Sequence, residues 1–184
     1  MSGFIDHRQH PKLAKLIESL TAEWQEMFRE AVHGLNLFIK SPEIHIQNPA
    51  DIRLFVVPLK WHGIMAGGHE QLCTGQEIIE RMPVAARLVR NPLIVSALYS
   101  MSMPGCEITP HLDNVESIGD VWRVHIGLSC PVGCGLMVAG DVRHWKDGEA
   151  LVFDSARVEH SAWNRSSNPR LVLIVDVDRK AVEN

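Results

Sequence analysis

Apolar positions recur at three- and four-residue steps early in the chain, where Leu13, Leu16, Ile17, Leu20, Trp24, Met27, Phe28, Ala31 and Val32 fall between Pro11 and His33. That period marks one amphipathic helix burying a single stripe on the outside of a sheet, and Gly34 supplies its stop. From Glu43 to Gly63 the pattern turns β-like: Ile44, His45 and Ile46 alternate, and Leu54 to Val57 is a short apolar run suited to a buried strand. Thr74-Gly75-Gln76-Glu77 is a capping box, in which the Thr74 hydroxyl and the Glu77 carboxylate each accept from the other residue's amide, ahead of Ile78, Ile79 and Met82. Pro83 opens a second short helix through Leu88 and Val89, which Asn91-Pro92 ends. Beyond residue 92 come six or seven short β-like segments, punctuated by Pro104-Gly105, Gly133, Gly140, Asp147-Gly148 and Asn168-Pro169. Helices first and strands later, with no linker and no repeat, predict an α+β fold, mainly β, with an antiparallel sheet. The strand spacing predicts a sandwich or jelly roll. The expected organisation is one domain over 1–184, with 1–92 as helical support and outer strands and 93–184 as the jelly-roll core.

A chain of 184 residues, 46% apolar and 22% charged, is long enough to bury a core without staples. Lys plus Arg number 18 against 22 Asp plus Glu, a formal charge of −4, so there is no basic footprint for a nucleic acid. The apolar runs fall far short of the ~20 residues that a membrane helix needs. The segment Met1 to Lys15 mixes His7, Arg8, His10 and Lys12 with Asp6 and has no apolar stretch of the signal-peptide kind. A soluble, cytoplasmic protein without membrane or nucleic-acid partners is expected. Cys73, Cys106, Cys130 and Cys134 do not form a disulfide framework, and Pro131-Val132-Gly133 between the last two reads as a turn rather than half a zinc site. Ten histidines are the more informative count, because imidazole is the commonest metal ligand.

Three spacings in the β half converge on one chemistry. Pro110-His111-Leu112-Asp113 puts a histidine and a carboxylate at i and i+2, on one face of an extended segment. His160 lies downstream in a second strand-like stretch, Val158 to Trp163. Arg170 follows ten residues later, across a turn from Asn164 to Pro169. If that turn closes a hairpin, His160 and Arg170 face each other and project from the same side. Two histidines and a carboxylate on a β scaffold match the facial triad of non-haem iron oxygenases, which leaves coordination positions open. Arg170 is then placed to hold a carboxylate as a bidentate pair. In Val121 to Leu128, Arg123 and His125 alternate against Trp122, Val124, Ile126 and Leu128, an inward basic pair that needs an anionic partner or solvent.

The runs that carry these residues resemble the aspartyl/asparaginyl β-hydroxylase family. They are Tyr99-Ser100-Met101-Ser102-Met103-Pro104-Gly105-Cys106-Glu107-Ile108-Thr109-Pro110-His111, Arg123 to Leu128, Trp145-Lys146-Asp147-Gly148-Glu149, Val152-Phe153-Asp154-Ser155 leading to Glu159-His160, and Arg170 to Val177. The resemblance covers about Trp61 to the C-terminus. It implies a double-stranded β-helix, a cupin-like jelly roll, with N-terminal flanking helices. It also implies an enzyme using Fe(II), 2-oxoglutarate and O2, with release of succinate and CO2 and hydroxylation of an unactivated C–H bond. Within the resemblance His111 and His160 bind iron, and with Arg170 they form the catalytic set. Arg170, helped by Ser100, holds the distal carboxylate of 2-oxoglutarate, while Arg123 and His125 contact its metal-proximal end. Many members of the family carry glycine two residues after the first histidine, where this chain has Asp113, which would restore a full triad. The loop Asn114 to Asp120 is also longer here. Asp154 or Glu159 reads either as a group that orients a ligating imidazole or as a solvated strand end, the latter favoured for Glu159.

Two other readings use the same His111, Asp113 and His160: a non-catalytic metal-binding barrel and a zinc hydrolase. The inward Arg170 and Arg123 discriminate, since a structural metal has no need of them and a hydrolase leaves the cosubstrate arginine unexplained. The expected substrate is a small-molecule amino acid or a peptide or protein side chain, aspartyl or asparaginyl by resemblance. Related bacterial proteins act on free amino acids and lipid acyl chains, and no feature of the sequence selects among these. Pro49 to Leu72, with Lys60, His62, His69 and Gly67-Gly68, reads either as part of a lid or as an ordinary surface loop.

Overall fold

The computed structural model describes residues 3–41, 53–62, 64–65 and 75–183. The expected alternation at Ile44 to Ile46, Thr74 of the capping box, Cys73 and His69 lie outside the described residues. In chain order the elements are α1 (Pro11–Thr21), α2 (Trp24–His33), β1 (Ile39–Lys40), β2 (Leu54–Trp61), β3 (Ile64–Met65), α3 (Gly75–Arg81) and α4 (Pro83–Leu88). The β half follows as β4 (Ile94–Ser102), β5 (Cys106–His111), α5 (Val115–Ile118), β6 (Val121–Ser129), β7 (Cys134–Val138), β8 (Asp141–Arg143), β9 (Ala150–Phe153), β10 (His160–Asn164), β11 (Arg170–Asp178) and α6 (Arg179–Val182).

The strands form two antiparallel sheets, as the sequence predicts. The larger has the order β1-β2-β4-β11-β6-β9, with β3 on β2, and the smaller has the order β5-β10-β7-β8. From β4 onward the chain alternates between the two sheets, apart from the β7–β8 pair within the smaller one, and this alternation is the double-stranded β-helix. The side chains of β11 divide cleanly. Leu171, Leu173, Val175 and Val177 pack toward the helices with Leu13, Leu16, Ile17, Leu20, Met27 and Tyr99. Val172 and Ile174 pack the other way, with Leu136, Val138 and Ala162 of the smaller sheet. Strand β6 repeats the division, since Trp122, Val124, Ile126 and Leu128 all join the helix-side core. Arg123 and His125 are thereby turned into the space between the sheets.

The single helix expected from Pro11 to His33 is two helices. Thr21 donates its hydroxyl back to the carbonyls of Ile17 at 2.9 Å and Glu18 at 3.2 Å, and α2 restarts at Trp24. Such back-bonding competes with continuation of the helix, which the apolar stripe alone does not register. Helix α4 starts at Pro83 as expected, and its amides are capped from a distance: Glu30 accepts from Val84 at 2.6 Å and Ala85 at 3.0 Å. In the stretch read as part of a lid or as a surface loop, residues 54–61 are strand β2, and Lys60 is buried, donating to the carbonyls of Ile94 at 2.7 Å and Asn91 at 3.3 Å. No helix among the described residues is long and apolar enough to cross a membrane.

One expected pairing is overturned. His160 and Arg170 are not hairpin partners: β10 pairs with β5 and β7, and β11 pairs with β4 and β6. The turn between them crosses from one sheet to the other. Asn164, fully buried, anchors that crossing, donating to the carbonyls of Ser102 at 2.8 Å and Asn168 at 2.9 Å. Its Oδ1 accepts from the Ser166 amide, the Ser166 hydroxyl and the Cys134 thiol. The two side chains thus reach the same interior from opposite walls.

Candidate active site

The two histidines meet because His111 and His160 are direct cross-strand partners in the β5–β10 ladder, with ring centroids 4.3 Å apart. Asp113, two residues past the first, brings Oδ1 to 3.6 Å from His111 Nε2. One ligand atom from each of His111, Asp113 and His160 lies within 4.8 Å of the others, and this is the metal-ligating cluster among the described residues. Each imidazole is oriented by the carbonyl two residues before it: His111 Nδ1 lies 2.7 Å from Thr109 O, and His160 Nδ1 lies 3.2 Å from Val158 O. A carbonyl only accepts, so each Nδ1 carries the hydrogen, and in the neutral ring Nε2 keeps its lone pair for a cation. Burial pushes His160 down to about 4, a fall that Asp113 opposes and His111 reinforces, so the ring is neutral near pH 7.

Asp154 does not perform the orienting role expected for it or for Glu159. Its carboxylate caps the turn at Arg157 N and pairs with Arg157 and Arg179.

A second group faces the cluster. Arg170 is 3% exposed and donates from Nη2 to Ser100 at 3.3 Å, and its guanidinium lies 4.4 Å from the centre of the Trp145 ring. Its Nε has no acceptor, and no carboxylate among the described residues pairs with it. The thiols of Cys130, Cys134 and Cys106 come near it instead. Burial raises each of them, Cys130 to about 12, so they remain protonated. Cys106, Cys130 and Cys134 are free thiols, and a turn at residues 132–133 separates the last two. His125 accepts from Trp145 Nε1 at 3.3 Å through Nδ1. That fixes its hydrogen on Nε2, which is buried without an acceptor. Burial first, then the positive fields of Arg123 and Arg170, hold His125 well below its ordinary value, so it is a neutral donor. Phe153 fills the gap between the imidazoles, its ring centre 5.2 Å from His125 and 5.1 Å from His160.

Arg123 has its anionic partner within the protein. Nε and Nη2 take both oxygens of Asp176, at 2.7 Å and 2.9 Å, and Nη1 donates to Oδ2 of Asp113. The inward basic pair is therefore split: Arg123 is matched by two carboxylates, and His125 is not matched by any. Asp176 and Trp145 are site residues to which the sequence pattern assigns no role. Asp176 had a detectable signal, as an acid two positions beyond Ile174 on the inward-facing parity of β11. Its partnership with Arg123 depends on the strand register, which sequence does not display.

With this geometry in view, the likeness to known proteins is specific. The sequence model of the family described as aspartyl/asparaginyl beta-hydroxylase matches residues 21–180. The aspartyl/asparaginyl beta-hydroxylase of Homo sapiens is 27% identical over 172 residues, covering 89% of this chain and 21% of that protein. The ornithine lipid ester-linked acyl 2-hydroxylase of Rhizobium tropici is 35% identical over 94 residues, covering 50% of this chain and 32% of that protein. The chain thus spans only between 21% and 32% of the length of these two relatives. Among solved structures, a Pseudomonas putida prolyl-4-hydroxylase aligns over 97% of this chain and 90% of its own, with TM-score 0.50 and 16% identity, a likeness of fold. Sequence match and fold agree, and the chain belongs to the aspartyl/asparaginyl β-hydroxylase family.

Proposed function

We propose that this chain is an Fe(II)- and 2-oxoglutarate-dependent dioxygenase that hydroxylates an unactivated C–H bond, with release of succinate and CO2. The observation that carries the reading is the pairing of two halves in one interior. One is a His111/Asp113/His160 cluster with lone pairs converging, and the other is a buried Arg170 and His125, each with one donor (Nε and Nε2 respectively) that lacks an acceptor. A buried guanidinium without a counter-charge is costly unless an anion completes it. A keto dicarboxylate fits that demand, with one carboxylate for Arg170 and Ser100 and further oxygens for His125 and the metal. A hydrolase or a structural metal leaves both orphaned donors without a purpose.

His111, Asp113 and His160 would hold the metal, a donor set of two imidazoles and one carboxylate suited to iron. Bound iron with its cosubstrate supplies the oxidising power for the C–H bond. The protein's own contribution is to present neutral Nε2 atoms, to hold an anion through Arg170, Ser100 and His125, and to keep water from them with Phe153, Val172 and Trp145. The substrate reading follows the family's name: an aspartyl, asparaginyl or other amino-acid side chain, free or within a peptide. The name of the Rhizobium relative adds lipid acyl chains as the class to set against it.

The test is visible absorption of the protein mixed anaerobically with Fe(II) and then with 2-oxoglutarate. A charge-transfer band that needs both, and is lost in Arg170→Ala, is the expected result. No band, with zinc retained tightly instead, overturns the reading, as does full succinate production by His160→Ala. Succinate release across amino acids, peptides and acyl lipids then separates the substrate classes.

A further inference from the structure

We infer that Asp176 is a positioning residue for the metal site, acting through Arg123 to hold Asp113 in ligating position. The inference rests on the proposed role of His111, Asp113 and His160.

Asp113 sits beyond the end of β5, at a place where nothing in the strand ladder fixes a side chain. Three contacts fix it instead. Its amide donates to the carbonyl of Ser155 at 2.9 Å, which sets the backbone. The next residue, Asn114, caps α5 by accepting from the Glu116 amide at 2.9 Å, which ends the freedom of the loop immediately downstream. The carboxylate itself is held at Oδ2 by Nη1 of Arg123, so that Oδ1 is the oxygen turned to the histidines.

Arg123 can do this because it is pinned. Asp176 is its direct cross-strand partner on β11, and takes Nε and Nη2 in a forked pair. The forked geometry orients the whole guanidinium plane and leaves Nη1 as the edge presented to Asp113. Both acids and the arginine are largely buried, with side-chain exposures of 5% for Asp176, 14% for Asp113 and 16% for Arg123. A plain structural ion pair would need only Asp176 and Arg123; the third contact ties it to the metal cluster.

The charges favour the same arrangement. Two carboxylates share one guanidinium, leaving one net negative charge at the mouth of the cluster, which attracts a dication. Without Asp176 that net negative charge is lost, and Asp113 alone must balance both the guanidinium and the cation. The freed fork can then close on both oxygens of Asp113, withdrawing Oδ1 from the site.

Metal binding measured by Co(II) titration of the metal-free protein, read by visible absorption, tests the chain of contacts without any turnover. Asp176→Asn keeps the shape and removes the charge. It is expected to weaken Co(II) binding on the order of 10–100-fold, the usual cost of losing a group that supports a ligand. In an Asp113→Gly background the same change is expected to cost less than about threefold, since nothing remains for Arg123 to position. Wild-type affinity in Asp176→Asn, or an equal loss in both backgrounds, overturns the inference and leaves the metal site standing. Failure of the wild-type protein to bind Co(II) overturns the metal site and the inference together. Should Asp176→Asn not fold, Arg123→Gln completes the same cycle: non-additivity with Asp113→Gly supports the inference, and additivity overturns it.

Discussion

The indole N–H of Trp145 donates to Nδ1 of His125 at 3.3 Å, and the two rings stack within 14° of parallel. This bond selects the tautomer of a buried, neutral imidazole and thereby decides that Nε2 is a donor. The same indole lies against the guanidinium of Arg170, so one side chain braces both groups assigned to the anion. Trp145→Phe keeps most of the ring and removes the hydrogen bond. The affinity of the metal-loaded protein for 2-oxoglutarate, measured by calorimetry, should fall roughly tenfold, the worth of about one buried hydrogen bond. Metal affinity should change little.

Arg170 is placed for binding at the expense of the empty fold. It is buried, its pKa is lowered by burial, and it has a hydroxyl, an aromatic face and thiols around it in place of a carboxylate. Arg170→Met fills a similar volume without the charge. The ligand-free variant is expected to unfold at a higher temperature than the parent, by the equivalent of about 1–2 kcal/mol. Added 2-oxoglutarate should raise the midpoint of the metal-loaded parent and leave that of the variant unmoved. A lower midpoint in the ligand-free variant would contradict this account of the buried charge.

Much of this organisation could be read from the sequence, and the part that could not shares a physical cause. The period-2 alternation in Val121 to Leu128 correctly sets Arg123 and His125 on the face opposite Trp122, Val124, Ile126 and Leu128, because the pleat fixes parity within a strand. His111, Asp113 and His160 cluster together, and Arg170 meets Ser100. Parity does not say which strand lies alongside. The expected His160–Arg170 hairpin failed because buried Asn164 turns the chain between sheets. The Asp176–Arg123 pair joins residues 53 apart in sequence, and Glu30 caps a helix 54 residues downstream. Both are products of tertiary register. The break after Thr21 was hidden for a different reason, since a hydroxyl that bonds back to its own helix leaves the hydrophobic stripe unchanged.

Acid should weaken the metal-free fold through His160. Its folded pKa of about 4 lies below the ordinary 6.5, so the unfolded chain binds the proton first as pH falls. Above pH 6.5 the ring is neutral in both states and contributes no pH dependence. Between 6.5 and 4 the native state is progressively disfavoured, by roughly 3 kcal/mol at most. Urea unfolding of the metal-free protein at pH 7 and pH 5 should show this loss. His160→Gln should reduce the difference between the two, and an identical difference in the variant would assign the acid sensitivity to other groups.

Gly127 decides how closely the Trp145 segment can approach β6. A Cβ built there would stand 2.1 Å from the carbonyl oxygen of Lys146 and 2.9 Å from the Cys130 thiol. The first of these is backbone, held by the bond from the Gly148 amide to the Gly127 carbonyl at 2.9 Å and by that from the Gly127 amide to Glu149 O at 3.0 Å. It cannot swing aside as a flexible side chain would. Gly127→Ala must therefore push residues 145–149 outward, carrying the Trp145 indole away from His125 and Arg170. The expected cost is about 2–3 kcal/mol of stability, seen as a lower urea midpoint. In whatever fraction remains folded, 2-oxoglutarate affinity should fall at least as far as in Trp145→Phe, because the aromatic face over Arg170 is lost along with the hydrogen bond. Destabilisation with unchanged 2-oxoglutarate affinity would show that the Trp145 segment and the anion pocket are independent.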